Sequence, residues 1–76
     1  MSTYEDLETM IEALTMTIII HEREEAFFRR SAALSTSKGA TELFLEIAND
    51  MKTHILSLED RKNKLVKELT ALRERA

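Results

Sequence analysis

Apolar residues return at alternating steps of three and four along the first half of the chain: Tyr4, Leu7, Ile11, Leu14 and Ile18, with the same steps carried on by His21, Glu25, Phe28 and Ala32. That alternation holds one stripe of a helix toward one side, as in helices that pack on other helices. It predicts a first helix over about 3–34, roughly 45 Å long at about 1.5 Å per residue. Ser2 and Glu5 have the spacing of a capping box, which sets the start near Thr3. A second stripe runs through Phe44, Ala48, Met51, Ile55, Leu58, Lys62, Leu65, Leu69 and Leu72, and predicts a helix over about 40–75. Lys62 is its one polar intruder, and a long aliphatic stem lets its ammonium reach water. Between the stripes, Ser35-Thr36-Ser37-Lys38-Gly39 gathers small hydroxylated residues and the only glycine. That cluster predicts a connection over about 35–39. A connection this short makes its two helices antiparallel neighbours. The expected fold is all-α, an antiparallel two-helix hairpin forming one domain over 1–76.

Two helices cannot cover this much apolar surface. Met10, Met16, Ile19, Ile20 and Phe27 lie off the main stripe of the first helix. An apolar face that wide calls for more than one partner helix. The chain has 76 residues and no cysteine, so no disulfide and no thiolate metal site supports it. A core this small is marginal in isolation. The simplest closure is a two-fold homodimer, giving a four-helix bundle, and the surplus around Ile19, Ile20 and Phe27 points to assembly beyond the dimer.

Composition narrows the class further. The chain has no proline, and 33% of its residues are charged beside 43% hydrophobic. That balance fits amphipathic helices and is too apolar for a disordered segment. The net charge of -3 gives no general attraction to nucleic acid or to an anionic membrane, so neither is expected as a partner. The longest apolar run of the first helix, Ile18-Ile19-Ile20, is far too short to span a bilayer. A cytoplasmic location is the default expectation. One glycine cannot build a phosphate-binding loop, and no nucleophile–histidine arrangement stands out.

The polar residues on the stripes carry the candidate chemistry. His21 and Glu25 are four apart on a face expected to be buried, and His54 follows Met51 by three on the second helix. Buried polar groups require partners. One solution is a set of hydrogen bonds that fixes register, with Glu25 meeting His21, His54 or Arg29. The other is a metal site, since imidazoles and carboxylates from facing helices, doubled by a two-fold axis, make enough ligands for a transition metal.

Phe27-Phe28 with Ala32, then Ile47-Ala48, then Met51-Lys52-Thr53-His54, stand in an order and spacing that give a resemblance. From Ile18 to Leu58 the chain resembles the helical hairpin of the ferritin-like superfamily, in the style of rubrerythrins and encapsulated ferritins. The resemblance implies a two-helix half-bundle that is completed between chains around a di-iron centre. The family's helix-1 glutamate falls on His21 here, and the glutamate of its Glu-x-x-His motif falls on Met51. Only His54 is carried over. Without both carboxylates the bridges between two irons are missing, so the family's ferroxidase activity is not expected to transfer. What the replacements leave is a nitrogen-rich set, His54 and His21 with Glu25 adjacent. It suits zinc, copper or a single iron at a dimer interface. Two alternatives stand beside this reading. One is a metal-free structural or interaction module. The other is an iron-oxidising protein that uses Glu22 or Glu25 in place of the lost ligands.

Overall fold

The computed structural model describes residues 3–75 and contains two helices, α1 (Tyr4–Leu34) and α2 (Lys38–Arg75). They are antiparallel. Glu8 reaches Arg73 at the open end, His21 lies by His54 in the middle, and Phe28 lies by Phe44 toward the connection. The hairpin is a rod of 58 × 17 × 14 Å. No helix among the described residues is long and apolar enough to cross a membrane.

Local chemistry sets the ends of both helices. The Thr3 hydroxyl accepts from the Asp6 amide at 3.2 Å, so Thr3 is the N-cap of α1. The expected Ser2–Glu5 box involves Ser2, which lies outside the described residues. Glu5 and Asp6 place negative charge in the first turn, where the helix dipole favours it. Thr3→Ala is expected to lower stability by about 1 kcal/mol, read as a reduced urea midpoint.

The connection is shorter than the sequence predicts. It is Ser35, Thr36 and Ser37 only, because the Ser37 hydroxyl accepts from the Ala40 amide at 3.3 Å and starts α2 at Lys38. Ser37 in turn donates its own amide to the Ser35 hydroxyl. Gly39 therefore lies in the first turn of α2 rather than in the loop, and it has no positive φ. A Cβ built there meets only the Ser37 hydroxyl oxygen, at 4.0 Å. Gly39→Ala is accordingly expected to stabilise by about 0.4–1 kcal/mol through the unfolded chain, visible as a higher thermal midpoint.

The core follows the two stripes. Leu7, Ile18 and Ala32 of α1 are buried, as are Ala48, Ile55 and Leu69 of α2. Small side chains at Ala32 and Ala48 let the helices approach near the connection, and Phe28 and Phe44 fill the space beside them with ring centroids 6.3 Å apart. The two flanks of the rod differ. On one, polar groups bridge the helices: Glu8 with Arg73 at 3.6 Å, and Arg29 with Asn49 at 3.3 Å. On the other, two open grooves run between the helices, with Arg61 in the walls of both.

Candidate metal centre

His21 projects from the middle of α1 and His54 from the facing turn of α2. Their ring centroids are 6.0 Å apart, with the ring planes at 59°. The antiparallel register brings them together, although 33 positions separate them in the sequence. They share a groove of about 220 Å³ with Thr17, Ser57, Leu58 and Arg61.

The second contact of His21 sets its chemistry. Its Nδ1 lies 3.0 Å from Glu24 Oε1. An ionised carboxylate only accepts, so Nδ1 carries the hydrogen, and in the neutral ring Nε2 keeps its lone pair. A carboxylate behind the imidazole is how metal-ligating histidines are commonly oriented and made more basic. Glu24 stands beside Glu22 and Glu25 in an acidic run of α1. Its position three residues after His21, one turn along the same face, was the signal for this role.

Glu25 serves a different purpose. One of its carboxylate oxygens takes two of the three Arg29 guanidinium nitrogens, Nε at 2.8 Å and a terminal nitrogen at 2.7 Å, and Arg29 reaches on to Asn49. Of the partners expected for Glu25, the structure gives it Arg29, along its own helix rather than across the bundle. Glu22 is exposed and in no ion pair among the described residues. Met51 is half-buried.

Burial differs from the expectation as well. No polar or charged residue is buried among those described. The His21 side chain keeps 24% of its exposure, Glu25 keeps 17%, and His54 is exposed. The stripe positions were expected inside a closed bundle, but one hairpin leaves its flanks open to water.

The donor set does not suit a di-iron centre. Residues 21 and 51, where the resemblance would put bridging carboxylates, are an imidazole and a thioether. No group of three or more His, Cys, Asp or Glu that could hold a metal ion occurs among the described residues of the single chain. Two imidazoles, one backed by a carboxylate, suit half of a four-coordinate nitrogen-rich site for a borderline ion. No family model matches the chain, and no curated protein or solved structure matches it significantly.

Proposed function

We propose that the chain is a self-associating, ferritin-like helical hairpin. In this reading it carries no di-iron ferroxidase activity, and a second copy completes a metal site built on His21 and His54. The observation that carries the reading is the imidazole pair, 6.0 Å apart on opposite helices with His21 held by Glu24. Zinc, copper or a single iron fits these donors. Zinc there would act as a cross-link that ties four helices together, and copper or iron would add one-electron chemistry. The two-helix architecture, the open grooved flank and the Ile47-Ala48…His54 spacing support the half-bundle. The engagement of Glu25 by Arg29 weighs against the iron-oxidising alternative in its Glu25 form and leaves it the exposed Glu22. The metal-free module differs only in leaving the histidines empty.

Elemental analysis decides among these. Protein incubated separately with iron, zinc and copper and then desalted is expected to retain about one ion per two chains. His54→Ala and His21→Ala are expected to bring retention to background, and Glu24→Gln to weaken it about 10–100-fold. Retention unchanged by His54→Ala would overturn the site. No retained ion in the parent protein would leave the metal-free module. One or more irons per chain with oxygen-dependent oxidation would restore the iron-oxidising reading.

A further inference from the structure

The grooved flank of the hairpin has a pattern that specifies what covers it. Its larger groove, about 500 Å³, lies between Met10, Ala13 and Leu14 of α1 and Leu65 of α2, with Arg61 and Lys64 in its walls. Ala13, Ile20, Phe27 and Leu34 are seven apart and form one row of α1 that begins in this groove. Phe27 is 54% exposed, Ile20 52% and Leu34 82%. Asp50, Ser57 and Lys64 form the matching row of α2. Ser57 and Lys64 both line the grooves.

We propose that a second copy of this chain covers the flank, related by a two-fold axis that crosses the rod at mid-α1 and seats Phe27 of each copy in the other's large groove. This rests on the self-association reading above and adds its face and direction. Residue 19 is the midpoint of α1, and the antiparallel register sets it opposite about residue 57 of α2. Reversal about that level carries Phe27, about 12 Å to one side, onto the groove between Met10 and Leu14 on the other. The same operation sets Asp50 against Lys64 and Arg61 of the second copy. Neither Asp50 nor Arg61 has an ion pair among the described residues, and Lys64 has only Asp60 of its own helix. Anion thus meets cation at both ends of the contact. The aromatic ring would lie among cations, an arrangement that a ring face favours. An arrangement with the axis along the rod would instead set Glu24 beside Asp50 and His54 of the second copy and leave the large groove without an aromatic occupant.

The exposed area fits one such contact. The chain exposes 5749 Å². A compact chain of this mass exposes roughly 4,800 Å². The surplus is close to the ~800 Å² that each partner contributes to a standard interface. The radius of gyration, 17.1 Å, departs from compactness in the same sense, against about 11 Å for a compact domain of this length. The two His21–His54 pairs then straddle the axis about one helical turn apart. Residues four apart on a single helix, also one turn apart, share a metal ion.

Directed disulfides test the arrangement. The chain has no cysteine, so Asp50→Cys and Lys64→Cys can be made as two separate proteins and mixed under oxidising conditions. Positions 50 and 64 lie about 21 Å apart along one helix. A disulfide needs Cα atoms within roughly 7 Å, so a 50–64 link reports contact between copies. The expected result is a covalent heterodimer that forms at least tenfold faster than one between Asp50→Cys and Thr70→Cys, whose position is exposed away from the grooves. Sedimentation of the unsubstituted protein is the second measurement. A dimer in solution without a preferential 50–64 link overturns this arrangement and leaves self-association standing. A monomer at every concentration overturns both.

Discussion

Ile55→Ala is expected to unfold most of the chain at ambient temperature, whereas Leu56→Ala, one residue further, is expected to leave it folded. Ile55 is 2% exposed in the middle of α2, at a stripe position that faces α1. Truncating a buried isoleucine to alanine costs about 2–5 kcal/mol, from lost transfer free energy and the cavity left behind. A single core in a chain of this size rarely supplies more than about 3–5 kcal/mol, so the loss is comparable to the whole stability. Leu56 is 56% exposed. It lies off the stripe, and a surface truncation of this kind changes stability by about 0.5 kcal/mol or less. Circular dichroism at 222 nm with urea titration reads both variants. Equal losses from the two would mean that the stripe register of α2 is wrong. A small loss at Ile55 would mean that the hairpin draws its stability from elsewhere.

That contrast between neighbours marks what the sequence makes legible. The three-and-four alternation places Leu7, Ile18, Ala32, Ala48, Ile55 and Leu69 on the stripes, and these are the buried residues. Helix burial repeats with the helix period, so a long periodic run specifies its inner face without any tertiary knowledge. The connection was less legible. Gly39 drew attention as the only glycine, but the residue that ends the loop is Ser37, through its hydroxyl on Ala40. Glycine marks loops by tolerating positive φ, and nothing at Gly39 requires it.

The site was legible in part. Stripe position brought out His21 and His54, and their 6.0 Å proximity follows from register alone. The identity of the carboxylate partner does not follow from register. Glu24 and Glu25 lie on adjacent positions of the same turn, 100° apart around the axis, and either is within side-chain reach of His21. The choice is set by Arg29, which draws Glu25 toward Asn49 and the polar flank and leaves Glu24 to the histidine on the grooved flank. A guanidinium fork that binds a carboxylate through two nitrogens outcompetes a single imidazole contact. A pattern that reports which face a residue occupies cannot rank two acceptors for one donor.

The thermal midpoint is expected to rise with protein concentration, by about 3–6 °C for each tenfold increase. If two hairpins fold as one bundle, unfolding releases two chains, and tenfold dilution costs about 1.4 kcal/mol of dimer stability. A folding unit of about 150 residues shifts its midpoint by roughly 2–4 °C per kcal/mol. A hairpin that folds alone shows no such dependence. Phe27→Ser is expected to flatten the dependence while leaving the helix content of the concentrated protein intact. Phe27 is 54% exposed in the hairpin, and its packing there is an edge-to-face contact with Phe28 at 5.2 Å, so its removal bears on association more than on the fold of one chain. Scanning calorimetry over two decades of concentration makes the measurement. A midpoint independent of concentration in the parent protein would mean that the hairpin is stable alone. An unflattened slope in Phe27→Ser would place the association surface elsewhere, with Ile19 of α1 and Leu43, Leu45, Leu56 and Val66 of α2 among the exposed apolar side chains left to form it.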